Sequence, residues 1–188
     1  MRGHLLGIFL CVATGCQPKP YQLPIELSPR EPKLIIETRA EKIKFLRPDT
    51  WEIEEQPTSD ANITILGGLS PDNKSLLLFV SLKNIDPEIL RETELIQLAK
   101  EKFFNNAEPL TLVSKTKINN LTGTQAEFAG TIGNSVAGTF GTNAQRAFLF
   151  TGHYQGSAFI FIVATEDRSI DQKTEKLLRD MLGSIKGE

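Results

Sequence analysis

Cysteine is nearly absent from this chain of 188 residues: there are two, Cys11 and Cys16, both close to the amino terminus. Everything after residue 16 lacks a thiol, so no disulfide and no cysteine chemistry supports the rest of the chain. Histidine is as scarce, with only His4 and His153. Imidazole metal sites and catalytic triads need partners at fixed geometry, and there is no H-x-x-x-H, no D-x-D-x-D-G and no cysteine pair. A basic surplus is also missing: 21 Lys and Arg face 23 Asp and Glu, a net charge of -2. Nothing there would neutralise a phosphate backbone, so nucleic acid is not an expected partner. No apolar run approaches the ~20 residues that a membrane-spanning helix needs. No metal and no cofactor is implied.

What is present begins at the amino terminus. Arg2, His4 and the terminal amine form a weakly positive head, and an apolar run follows from Leu5 to Val12. Small residues come next, Ala13, Thr14 and Gly15, and then Cys16. This order is the pattern of a cleaved secretory signal. Ala13, Thr14, Gly15 and Cys16 together resemble a bacterial lipobox, with Ala13 standing where Leu is commonest. The resemblance implies a signal peptide over 1–15, cleavage before Cys16 and a diacylglycerol on the Cys16 sulfur. It further implies a domain lipid-anchored to a bacterial membrane, facing the periplasm or the exterior. The other reading is an ordinary secretory signal that leaves Cys16 as a free thiol. Each buried methylene contributes about 0.8 kcal/mol and a single acyl chain holds only marginally, so a stable anchor needs two or more chains.

Residues 16–32 read as a spacer. Pro18, Pro20, Pro24, Pro29 and Pro32 are half of the ten prolines in the chain. Proline fixes φ and lacks the amide donor, so this segment is expected to be extended, with a reach on the order of 50 Å at ~3.1 Å per residue. A stand-off arm and generic filler predict the same conformation here.

The remaining 33–188 read as one α+β domain. Strands are expected over 33–38, 43–46, 51–54 and 61–66, with Gly67 and Gly68 breaking the chain. A longer apolar strand over 75–82 looks central. Asp86 is the expected N-cap of a first helix, with Pro87 at its first position and Glu88 at its positive end. Ile89, Leu95, Ile96, Ala99 and Phe103 form its apolar stripe, and Asn105, Asn106 and Pro109 end it. Strands are expected next over 110–118, 124–131, 145–153 and 158–165. The last two are joined as a hairpin through Tyr154, Gln155, Gly156 and Ser157. Residues 159–163 are apolar at every position, as in a strand covered on both faces. Ser169 and Gln172 suggest a capping box for a closing helix with a stripe of Ile170, Leu177, Leu178, Met181 and Ile185.

Several pieces in this order resemble one family. They are Phe45, Pro48 and Trp51 in an F-x-x-P-x-x-W opening, and the turn Asn119, Asn120, Leu121, Thr122, Gly123 leading into a strand. The hairpin glycine Gly156, then Glu166, then a helix ending Met181, Leu182, Gly183, Ser184, Ile185 complete the set. Together they resemble the PsbP-like family over 34–186. The resemblance implies a curved, mainly antiparallel β-sheet flanked by helices, a PsbP-like α/β/α sandwich. It also implies a non-enzymatic binding or assembly role, and it carries over no functional residue.

Among single residues, His153 is expected at a strand end at the solvent edge. Glu52, Glu54, Glu55 and Asp60 form a local acidic cluster. Two carboxylates on one strand face suit a hard cation or acid–base work, but a solvated face is the expectation. The loop over 133–143 is glycine-rich and uncharged; it lacks the G-K-[ST] of a phosphate cradle. Asn134, Phe140 and Asn143 are its candidate contact residues, with Phe140 either an exposed anchor or folded back on the sheet. Asn62, Asn73 and Asn120 head sequons expected to be chance matches.

The expected function is a lipid-anchored, extracytoplasmic, non-enzymatic interaction or assembly module. Its partners would be the membrane, through Cys16, and a protein not specified by the sequence. The alternative is a domain that binds a small apolar ligand or a lipid under a helix. A hydrolase ranks third, with His153 lacking spaced partners. Mass spectrometry of the mature amino terminus should find acylated Cys16 as the first residue. A free thiol there, or an intact leader, would overturn the anchor.

Overall fold

The structure is a computed structural model that describes residues 33–132, 146–166 and 169–188. The expected signal peptide (1–15), Cys16, the spacer (16–32) and the loop with Asn134, Phe140 and Asn143 lie outside the described residues.

The chain opens with β1 (Leu34–Ala40), β2 (Ile43–Pro48), β3 (Glu52–Gln56), β4 (Ile63–Leu69) and β5 (Ser75–Lys83). Helix α1 (Glu92–Phe103) passes directly into β6 (Phe104–Pro109), followed by β7 (Ser114–Ile118), β8 (Leu121–Ile132), β9 (Arg146–Tyr154) and β10 (Ser157–Thr165). Helix α2 (Gln172–Gly183) and a short β11 (Lys186–Gly187) close it. The large sheet runs β3-β4-β5-β10-β9-β8-β6, with β7 also on β8. All its pairings are antiparallel. A small sheet, β1-β2-β11, shares no strand pairing with it. Two meanders thus meet where β5 pairs with β10 along their whole length, Ser75 opposite Thr165 through Lys83 opposite Ser157.

Strand periodicity sends alternate side chains to opposite faces, and each face has its own core. On one face Leu76, Leu78, Val80, Leu149, Ile160 and Ile162 pack against Leu95, Ile96, Ala99 and Phe103 of α1. On the other, Leu77, Phe79, Phe148, Phe150, Phe159 and Phe161 meet Leu178, Met181 and Leu182 of α2, together with Ile43 and Phe45 of β2. Rings dominate this second face: Phe45 lies 4.8 Å from Phe161 and 5.7 Å from Phe79 between centroids, and Phe150 lies 5.5 Å from Phe159. The result is the expected α+β architecture, an antiparallel sheet with a helix on each side.

The rim of the aromatic face holds one buried charge. Glu127 is 6% exposed. Arg146 Nε donates to its Oε1 at 2.6 Å and Arg179 Nη2 to its Oε2 at 3.3 Å. Both guanidinium groups also lie over the Phe148 ring, 5.5 and 4.5 Å from its centroid. A carboxylate this buried is tolerated only because it is paired on both oxygens.

The elements differ from the sequence expectation as follows. First, α1 begins at Glu92, not near Asp86. Asp86 instead closes a turn: its Oδ1 accepts from Glu88 N at 2.9 Å, and its carbonyl accepts from the Ile89 and Leu90 amides. Ile89 is 77% exposed and belongs to no helical stripe. Glu94 caps α1 by reaching back to the Arg91 amide at 2.7 Å. Second, Gly67 and Gly68 do not break β4; the strand runs through them to Leu69. A Cβ on Gly68 would collide with Ile53 Cδ1 and approach the Glu52 carbonyl to 2.6 Å, so glycine there admits β3 at close range. Third, Asn105 lies in β6, so the residues expected to end the helix belong to an edge strand. Fourth, the run 110–118 is a strand only from Ser114. Fifth, α2 is capped by Asp171 rather than Ser169, with Oδ1 accepting from Lys173 N at 2.9 Å and Thr174 N at 3.0 Å. Bonds from Thr174 foremost hold the Asp171 carboxyl below its ordinary value.

The β9–β10 hairpin turns at Gln155 and Gly156, both with positive φ (48° and 81°), the geometry of a two-residue turn that matches strand twist. The β7–β8 turn does a second job. Asn119 Nδ2 donates to the Gly183 and Ile185 carbonyls at 3.1 and 2.7 Å, and Asn120 exchanges two bonds with Gly187. This strap holds the carboxyl end after α2.

At Gly123 a Cβ would collide with the Thr151 carbonyl oxygen, whereas at Gly183 it would meet nothing within 4 Å. Gly123→Ala should therefore lower the unfolding free energy by about 1–3 kcal/mol, the range for overpacking. Gly183→Ala should raise it by about 0.5 kcal/mol through the helix propensity of alanine. Urea melts test both, and equal effects at the two sites would overturn the close approach at Gly123.

Candidate functional site

His153 is the residue closest to chemistry. It lies near the end of β9, one residue before the last, as expected, but it is half-buried rather than at an open solvent edge. The turn over 86–90 brings Pro87 above it, and α1 then places Arg91, Glu92 and Thr93 beside it. With Lys115 of β7 these line a cleft of about 280 Å³. Glu92 anchors the arrangement: its Oε2 accepts from Thr124 Oγ1 at 3.0 Å, and its carbonyl accepts from Thr151 Oγ1 at 3.3 Å. Both threonines are buried, at 1% and 0% exposure.

Burial disfavours the imidazolium and lowers the His153 pKa from the ordinary 6.5. The Glu92 carboxylate and a backbone hydrogen bond to Leu90 oppose this without reversing it. His153 Nε2 is buried and has no hydrogen-bond partner. The cleft thus offers a neutral imidazole beside one carboxylate and two cations. Acyl transfer needs a nucleophile within reach of the base. The residues lining this cleft include neither serine nor cysteine; Thr93 is the one hydroxyl among them, and the neighbouring hydroxyls of Thr124 and Thr151 are bonded to Glu92.

The acidic residues do not converge. Glu52 and Glu54 share a face of β3 and line a shallow cleft of about 400 Å³ with Thr50, Gly67, Gly68 and Ser70. Glu55 faces a different cleft, with Glu41 and Lys83. Asp60 Oδ1 accepts from the Asn62 amide at 2.8 Å within a turn. Among the described residues no group of three or more His, Cys, Asp or Glu is placed to hold a metal ion. β3 is an outer strand of the large sheet, and exposed charge on such a strand discourages edge-to-edge pairing.

Sequence reasoning missed the other outer edge. β6 and β7 both pair with β8, end to end, and residues 110–113 bulge out between them. The bulge is pinned: the Leu110 amide donates to the Glu127 carbonyl at 2.8 Å, and the Glu127 amide donates to Thr111 Oγ1 at 3.1 Å. Leu110, Leu112 and Val113 are 47%, 91% and 46% exposed. Burying such side chains contributes about 1.5–3 kcal/mol each, a gain the fold forgoes here. Periodicity gave no warning, because Leu110 and Leu112 alternate with Thr111 like a strand.

An antiparallel sheet with one helix on each face, β5 and β10 at its centre and a small extra sheet beside it defines the class as a PsbP-like α+β fold. Among solved structures, the solution structure of cyanobacterial PsbP (CyanoP) from Synechocystis sp. PCC 6803 is similar, with a TM-score of 0.53 at 11% identity over 78% of this chain and 87% of that one. A crystal structure from Bacteroides thetaiotaomicron gives a TM-score of 0.45 at 10% identity, over 78% of this chain and 45% of that one. The fold assignment rests on the first. No protein-family model matches the chain, and no curated protein does.

A native state that favours neutral His153 binds a proton less readily than the unfolded chain. Stability should therefore fall as pH drops below 6.5 towards the lower folded value. In an NMR titration His153 should show a midpoint below 6.5, and Glu92→Gln should move it further down by removing the opposing charge. A midpoint at or above 6.5 would contradict the burial account.

Proposed function

We propose that this chain is a lipid-anchored, extracytoplasmic, non-enzymatic interaction module. Cys16 tethers it, the proline-rich spacer sets its distance from the bilayer, and the domain acts through its surface on a protein partner at that membrane. The lipobox-like Ala13, Thr14, Gly15 and Cys16 support the tether. Among the described residues no helix is long and apolar enough to cross a membrane.

The observation that carries the surface role is the filled interior. On the α1 face Leu95 and Ala99 are at 0% exposure, and on the α2 face Leu178 and Met181 are too, each set against the sheet. Interiors packed this way leave partners to be met outside. The second reading, a pocket for a small apolar ligand under a helix, must displace these same side chains. The described clefts are lined mostly by polar and charged residues.

Cys16→Ser should move the protein from the membrane to the soluble fraction, and crosslinking of wild type in native membranes should trap one specific protein neighbour. A Cys16→Ser variant that still sediments with membranes would remove the tether. Native mass spectrometry showing a co-purified apolar ligand, with no crosslinked neighbour, would favour the second reading.

A further inference from the structure

Leu110, Leu112 and Val113 stand together on the pinned bulge between β6 and β7. A broken outer strand and nearby lysines are common ways to blunt a sheet edge. Edge protection accounts for the break and for Lys115 and Lys117. It does not account for three exposed apolar side chains, which a polar bulge would do without.

Lysines flank the bulge on one side, where Glu92, bonded to Thr124, is the carboxylate of the cleft that Lys115 lines. Lys115 and Lys117 pair in register with Thr124 and Thr122, which puts both on the face of the sheet that carries α1. Neither is in an ion pair among the described residues. Lys100 of α1 sits over the Phe128 ring, 5.5 Å from its centroid, and Phe128 is the register partner of Pro109, just before the bulge. Glu108 is opposite Ala129, so it projects to the other face. Pro87, from the turn that exposes Ile89, lines the same cleft as Lys115.

We propose that residues 110–113 with Lys115 and Lys117 form a second membrane contact. The apolar side chains enter the headgroup–acyl boundary of an anionic bilayer, and the lysines meet its phosphates. Composition favours a bilayer over a protein as the occupant. Protein hot spots are rich in Trp, Tyr and Arg, with Leu and Val under-represented, and lysine is depleted from protein interfaces. An apolar tip flanked on one side by lysines is instead the chemistry of binding to anionic lipid. This deepens the reading above, since it rests on the domain working at a membrane surface. A tether alone leaves the domain free to rotate. A second contact at the β6–β7 edge fixes which faces point away from the bilayer.

The test uses the full chain with a photoreactive amino acid in place of Leu112, and the same residue in place of Lys176 as a control. The Lys176 side chain is 76% exposed on α2. Each protein is irradiated with vesicles of phosphatidylcholine containing phosphatidylglycerol, and with phosphatidylcholine alone. Position 112 should give lipid adducts severalfold above position 176 on the anionic vesicles. The double variant Lys115→Glu, Lys117→Glu should cut them on the order of tenfold or more, with an unchanged thermal melt to show that the fold is intact. Equal lipid labelling at 112 and 176 overturns the proposal. A discrete protein adduct at 112 in native membranes, without lipid adducts, also overturns it, yet leaves the interaction module standing. Failure of the tether registers separately, as an unmodified Cys16 in mass spectrometry of the mature amino terminus, while the vesicle result is unaffected.

Discussion

β10 is covered on both faces, and the rest of the domain follows from that. Phe159, Phe161 and Val163 point one way and Ile160 and Ile162 the other, all at 0–1% exposure. A strand of this kind cannot lie on a solvated sheet, so the fold must supply a layer on each side. α1 is one layer. α2 with β2 is the other, and it takes the rings: Phe45 and Phe161 are in contact across it. The antiparallel pairing of β5 with β10 then joins two meanders whose sequences are far apart.

The centre of the sheet is filled, and its two outer edges differ. At β3 the edge is acidic and its carboxylates are solvated and divided between two clefts. At β6 and β7 the edge is interrupted, apolar at its tip and basic beside it. Glu127 links this edge to the interior. Its backbone pins the bulge on one side, while its carboxylate is held by Arg146 and Arg179. The projecting residues are therefore tied to β8 by hydrogen bonds at Leu110 and Thr111 rather than carried on a free loop.

The fold was readable where hydrophobic period and burial agree. β5, β9, β10 and the middle of the α2 stripe carry continuous or strictly spaced apolar residues and formed where the pattern put them, whereas Ile170 and Ile185 of that stripe lie just outside the helix. Leu178, Met181 and Ile185 are all buried. The reading failed where two local signals compete. Asp86 and Pro87 are good helix starters, but an Asp turn uses the same donors, and packing against β9 delays the helix to Glu92. Gly67 and Gly68 look like a break, yet they are the means by which β3 comes close. Leu110 and Leu112 alternate like a buried strand, and only the register on β8 leaves them outside.

By itself the sequence determined the class of domain, because a doubly apolar strand with one amphipathic helix before it and one after admits few arrangements. It also carries the lipobox-like run ending at Cys16, a local pattern that needs no fold to be seen. The tertiary structure alone decided which polar residues meet. His153 and Glu92 come from β9 and α1, and Glu127, Arg146 and Arg179 from β8, β9 and α2. It alone decided which apolar residues remain outside as well. Side-chain period says that a residue has a face, but strand order and register say what, if anything, covers it.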